Sequence, residues 1–180
     1  DYVNIFNKED EKKEEMRFFN DFIKKSSDVD FKKYISVFVD LDKLYYWNIL
    51  NILAASNHQT ETTNSIIYFN GITGKFEIIP WDTNIALSNR YKDNYALLMN
   101  RVLSIDSNRQ RRNELLEEYL NDSDNLNDDL KYYDKLYEIT RSDFLKDHYK
   151  LYNNLSYLDK VKLYREMIKN NFEKSQDVLN

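Results

Sequence analysis

Apolar residues at Met16, Phe19, Phe22 and Ile23 recur at helical spacing with polar residues between them. The pattern predicts an amphipathic helix over residues 10–25. Ser26-Ser27-Asp28 ends it, and Asp28 or Asp30 is placed to cap a short helical segment around residues 31–35. Asp40 stands where an N-cap would open the next helix, along which Leu41, Leu44, Tyr45, Ile49 and Ile52 line one side. Trp47, Leu50 and Leu53 widen that stripe until little polar face is left, which predicts a central, buried helix.

The periodicity stops between residues 56 and 64, where Ser-Asn-His-Gln-Thr-Glu-Thr-Thr-Asn reads as a loop. Residues 65–70 and 75–79 are the β-like runs, rich in Ile, Tyr and Phe, and both glycines of the chain, Gly71 and Gly74, fall between them. A hairpin is the expectation, with Asn-Gly and the second Gly supplying the positive φ of a tight turn, and with Pro80 ending its second strand. From about residue 91 onward helical stripes resume. Tyr95, Leu98, Met99, Val102 and Leu103 form one; Leu115, Leu116, Tyr119 and Leu120 a second; Leu126, Leu130, Tyr133 and Tyr137 a third; Leu158, Val161, Tyr164, Ile168 and Phe172 a fourth. Polar breaks at residues 106–108, 121–125 and 152–154 separate them. No repeat period or linker divides the chain, so the expected architecture is a single, mainly α domain over residues 1–180 carrying one β-hairpin.

Composition narrows the chemistry. Two glycines and one proline in 180 residues argue against turn-rich sandwiches and exclude the glycine loops of dinucleotide-binding folds, P-loops and ordinary protein kinases. The absence of cysteine removes thiolate nucleophiles and Cys-ligated zinc, and His58 and His148 are too few for a multi-histidine metal centre. A formal net charge of −5 opposes a phosphate-neutralising nucleic-acid binder. The most apolar stretch, residues 44–55, is interrupted by Asn48 and Asn51 and falls short of the roughly 20 residues of a membrane span. The opening Asp1-Tyr2-Val3 lacks an initiator Met, which suggests a piece of a longer protein.

In a helical protein, functional side chains concentrate where regularity fails, here residues 57–64, the hairpin, and Pro80-Trp81-Asp82-Thr83-Asn84. A hairpin bounded by Asn64 and Ile79 brings the loop before it and the turn after it to one end, so Asn64 and Asp82 can approach each other. A carboxylate beside a carboxamide oxygen offers the hard ligands that Mg²⁺ takes in phosphoryl-transfer sites, where phosphates and water complete the shell. Purely structural roles compete: Asp82 as a cap for a segment starting at Thr83, Asn64 bonded to turn backbone, Trp81 as a core or rim residue, and His58 as a solvated side chain rather than a general base. Arg109, Arg111 and Arg112 either bind an acidic partner or form the wet face of their helix. Asp122, Asp124, Asp128 and Asp129 lack the spacing and glycine of an EF-hand and read as a solvated connection.

Taken in order, Val39-Asp40-Leu41-Asp42-Lys43-Leu44, the loop ending at Asn64, Tyr68-Phe69, Gly74-Lys75-Phe76 and Ile79-Pro80-Trp81-Asp82 resemble the second half of the CotH kinase family, the spore-coat-protein-H-like atypical protein kinases. Residues 163–179 are similar to that family's closing helix. The resemblance implies an atypical kinase-like C-terminal lobe, with the ATP-contacting N-terminal lobe absent from this stretch. It also implies transfer of phosphate from ATP to Ser of a partner protein with Mg²⁺ or Mn²⁺, and a spore-coat or cell-surface setting. Residue by residue, Asp82 matches the metal-binding Asp of the family's Pro-Trp-Asp-x-Asp, and Asn64 matches the Asn that ends the loop motif. Two positions depart. Gln59 holds the place of the catalytic Asp, and a carboxamide cannot accept the acceptor hydroxyl's proton. Asn84 replaces the second acid and keeps only a neutral oxygen. Glu61 is the nearest alternative carboxylate, two residues displaced. The resemblance therefore implies either a kinase or an inactive pseudokinase or coat-assembly module that works through an aromatic surface; a helical interaction domain unrelated to kinases is the remaining alternative.

Overall fold

The computed structural model describes residues 11–56, 59, 64–82 and 96–179. Among them are seven α-helices, one hairpin and a closing 3₁₀ turn, in the order α1 (Glu11–Lys25), α2 (Asp28–Phe38), α3 (Leu41–Leu53), β1 (Ile66–Asn70), β2 (Lys75–Ile79), α4 (Leu97–Leu103), α5 (Asp106–Asn121), α6 (Ser123–Lys146), α7 (Asn154–Lys174) and Ser175–Val178. The mainly helical reading with a single hairpin is the observed fold. The chain divides into two compact units, Asp1–Leu115 and Leu116–Asn180, with the boundary inside α5 rather than in a linker. Among the described residues no helix is long and apolar enough to cross a membrane.

In the first unit, Asp40 caps α3 as expected, its carboxylate accepting the Lys43 backbone N–H at 3.3 Å. The helix buries Leu44, Tyr45, Trp47, Ile49 and Ile52, and also Asn48 and Asn51. It closes in a Schellman motif: the Ser56 N–H reaches the Asn51 carbonyl and the Ala55 N–H the Ile52 carbonyl, with Ala55 in the left-handed region at φ 48°. Helix α2 corrects the expectation of a short segment at 31–35. It runs eleven residues and is capped by Ser27, whose hydroxyl accepts the Asp30 N–H, and not by Asp28 or Asp30.

The strands pair antiparallel in the register Ile66↔Ile79 to Asn70↔Lys75. The connection differs from expectation in one respect. Gly74 takes positive φ (67°), but Gly71 does not, because the Asn70 side chain closes that part of the turn by accepting the Ile72 N–H at 3.0 Å. Strand β2 docks on the end of α2 through a parallel bridge from Val39 to Phe76. Phe76 in turn stacks on Phe19 of α1 with ring centroids 4.0 Å apart. The hairpin is thus fastened to the helices along one strand, which fixes the position of both its open ends.

In the second unit α6 and α7 pack as an antiparallel pair. Phe144 stacks on Tyr157 at 3.8 Å, the Tyr133 hydroxyl donates to the Val161 carbonyl at 2.9 Å, and Arg165 forks onto both carboxylate oxygens of Asp134. Asp122 caps α6 and Asn153 caps α7, so the expected polar breaks are the caps themselves.

Candidate functional site

The open end of the hairpin brings together residues from both sides of it. Asn64 precedes β1 and Asp82 follows Pro80-Trp81, and the Asn64 Nδ2 donates to the Asp82 Oδ2 at 2.7 Å in an exposed position. Both residues hold positive φ, 60° and 51°. That conformation is uncomfortable for most side chains and best tolerated, glycine aside, by Asn and Asp, whose short polar groups bond locally. The local sequence therefore suits the backbone that the junction needs.

Gln59 lies beneath this pair and is 3% exposed. The Ser56 hydroxyl donates to its Oε1 at 3.0 Å, while its Nε2 donates to the carbonyls of Trp81 at 2.9 Å and Asp82 at 3.1 Å. Both amide hydrogens and the amide oxygen are engaged inside the protein. A continuous path of bonds runs from the C-terminal cap of α3 through Ser56 and Gln59 to the backbone of Asp82, and from its carboxylate to Asn64. Ser56, itself buried, was not singled out by sequence; its spacing of three residues from Gln59 is the only signal it carries.

Trp81 is exposed to 55% on the rim. His58, Glu61 and Asn84, the other residues singled out, lie outside the described residues, as does Thr83, so capping by Asp82 is not described either. Asn64 bonds to the Asp82 carboxylate rather than to turn backbone. Among the described residues no group of three or more His, Cys, Asp or Glu side chains could hold a metal. A cation here would have one carboxylate and one carboxamide oxygen from the described chain, a donor set that suits Mg²⁺ only with phosphate and water completing it.

Two further clusters bear on the site's support. Glu77 of β2, 6% exposed, accepts from Lys43 Nζ at 2.7 Å, Tyr68 Oη at 2.6 Å and Asn70 Nδ2 at 2.8 Å. These donors, Lys43 foremost, hold its carboxyl down to about 2, and Glu77 in turn raises Lys43 and Tyr68. Sequence reading missed this cluster although the register places Tyr68 opposite Glu77. The second cluster corrects the wet-face reading of the basic run. Arg112 is 1% exposed, and its Nη1 donates to the buried Asn48 Oδ1 at 2.8 Å, whereas Arg109 and Arg111 are about half exposed. An apolar recess of about 80 Å³, lined by Met16, Phe19, Leu44, Trp47, Ile67 and Ile78 among others, is unsuited to phosphate.

The family model described as CotH kinase protein matches residues 2–179. No curated protein matches the chain.

Proposed function

The chain belongs to the CotH kinase protein family, and from that premise we propose that Asp82 and Asn64 hold a divalent cation against the phosphates of ATP, with phosphate transfer to Ser suppressed by the loss of a proton acceptor at position 59. The observation that carries this reading is the contact between the Asn64 carboxamide and the Asp82 carboxylate at the open end of the hairpin. By family analogy the acceptor is a spore-coat or cell-surface protein.

Mg²⁺, when bound, neutralises charge on the phosphate oxygens and orients them for in-line transfer. Asp82 supplies the anionic oxygen. Asn64 supplies a neutral one when its amide is turned over, exchanging the Nδ2 contact for Oδ1. Gln59 takes no part in moving a proton: its oxygen already accepts from Ser56 and its nitrogen has no basic lone pair. General-base assistance contributes typically about 10²- to 10⁴-fold, so transfer is expected to be slower by that factor than with a carboxylate in place. Binding without efficient turnover is the behaviour of a pseudokinase. The exposed stripe of Tyr132, Leu136 and Ile139 on α6 supports the companion idea that such a protein works by meeting a partner.

The test is thermal denaturation with Mg²⁺, MgATP, and MgATP plus EDTA, with this chain joined to the ATP-contacting N-terminal lobe that the family resemblance implies as the parent, and for Asp82→Asn in the same protein. Asn tolerates the left-handed backbone, so this substitution removes charge without adding strain. MgATP at a hundredfold excess over its Kd should stabilise the parent by about 2.7 kcal/mol, an effect removed by EDTA and by Asp82→Asn. Stabilisation that survives the substitution would overturn the assignment.

A further inference from the structure

We propose that Gln59 is a positioning residue, a strut whose carboxamide, aligned by Ser56, grips the carbonyls of Trp81 and Asp82 and so holds the Asp82 carboxylate toward Asn64. The inference rests on the cation-site reading for its purpose, and on hydrogen bonds for its geometry. Three features carry it. The side chain is 97% buried by its 3% exposure and has every amide hydrogen and its oxygen engaged. Its two acceptors are consecutive carbonyls flanking the Cα of Asp82, so the amide restrains the rotation that sets where the Asp82 side chain points. And Asp82 sits at φ 51°, away from the broad minima of a free chain, a conformation that persists when its surroundings determine it.

The chemistry at position 59 is specific. Gripping two carbonyls needs two donors on one planar group and an acceptor to be fixed by Ser56, which a carboxamide provides and a carboxylate does not. Among the described residues, an ionised acid here would face two carbonyl oxygens with the Ser56 hydroxyl as its donor, buried. The residue that fits the strut is therefore incompatible with a proton acceptor in the same place, and a single Gln59→Asp change is expected to loosen the site rather than create a base.

The experiment is Tb³⁺ luminescence, with Tb³⁺ alone as a hard-cation probe and Trp81 as the sensitiser beside Asp82, alongside thermal midpoints for every variant. Asp82→Asn serves as the reference: if it leaves sensitised luminescence unchanged, the cation-site reading fails, whatever Gln59 does. Given loss in that reference, Gln59→Met, similar in length but without the amide, should weaken Tb³⁺ binding about 10- to 100-fold, the usual effect of removing a group that orients a metal ligand. Ser56→Ala keeps both carbonyl contacts and frees only the amide's orientation; it should weaken binding severalfold while leaving the midpoint within a few degrees. It keeps the idea testable should Gln59→Met unfold. Affinities equal to the parent in both folded variants, or in Ser56→Ala alone if the other does not fold, would overturn the strut.

Discussion

Replacing Glu77 by Gln tests how the hairpin is fastened to α3. The carboxylate is almost fully enclosed and accepts from three donors, two on Oε2 (Lys43 and Tyr68) and one on Oε1 (Asn70). A carboxamide offers one oxygen and turns an NH₂ toward a donor on the other side, so at least one charge-assisted bond is lost and one donor pair is opposed. Hydrogen bonds to a charged group contribute about 1.5–3 kcal/mol, and with half of the Lys43 side chain in water we expect Glu77→Gln to cost about 2 kcal/mol. For a chain of this length that is a fall in midpoint of roughly 4–8 °C. The dependence on pH separates charge from packing. Because the folded carboxyl lies near 2 against an ordinary 4.5, its contribution is complete above about pH 5 and is lost as pH falls through 4 toward 2. The parent's advantage should shrink over that interval, because the variant has no carboxyl to protonate there. Calorimetry at pH 7, 5, 4 and 3 checks this, and a cycle with Lys43→Met isolates the pair. A constant gap between parent and variant from pH 7 to 3 would refute the electrostatic account, leaving only a packing role for the side chain.

Further substitutions probe two features of the first unit. Arg112→Met removes a donor from the buried Asn48 oxygen and should destabilise by about 1–3 kcal/mol in urea unfolding, and adding Asn48→Leu should recover part of the loss by removing the acceptor that Arg112 serves. Ala55→Gly sets relief of about 1 kcal/mol of left-handed strain against about 0.8 kcal/mol for a buried methyl, so its midpoint should barely move, whereas Ala55→Val should cost about 2 kcal/mol or more.

Where local chemistry decides a boundary, the sequence is readable. Asp40 caps α3 and Pro80 follows the end of β2 because each acts on its own neighbours. Residues 26–30 are harder, since Ser26, Ser27, Asp28 and Asp30 are all capping types; Ser27 prevails with its hydroxyl reaching both the Asp30 N–H and the Asp30 carboxylate. Gly71 misleads for a related reason, because the Asn70 side chain supplies the turn bonding that positive φ at Gly71 would have provided. Arg112 could not be read at all: hydrophobic periodicity counts arginine as polar, and its partner Asn48 is 64 residues away. The approach of Asn64 to Asp82 follows from the hairpin, since pairing of Ile66 with Ile79 requires the flanking segments to leave from the same end. The engagement of Gln59 does not follow, because it depends on which way a buried amide faces.

If the proposed cation site is taken as the premise, the residue types at the hairpin's open end meet two requirements at once. Asn64 and Asp82 occupy left-handed backbone, which glycine adopts most freely, yet glycine carries no side-chain oxygen to offer a cation. Most other side chains would add strain of about 1–2 kcal/mol at each position. On the proposed cation-site reading, Asn and Asp satisfy the backbone and the ligand chemistry together. Glycine at position 82 would keep the backbone and lose the ligand, alanine would lose the ligand and add strain, and asparagine would keep the backbone while removing only the charge. The three variants therefore rank differently by stability and by cation affinity. With Gly and Asn near the parent and Ala below it in stability, but all three weakened in affinity, conformation and ligation are shown to be separate demands on one side chain. A stability order that instead follows affinity would mean that Asp82 is held by the Asn64 contact and not by its backbone preference.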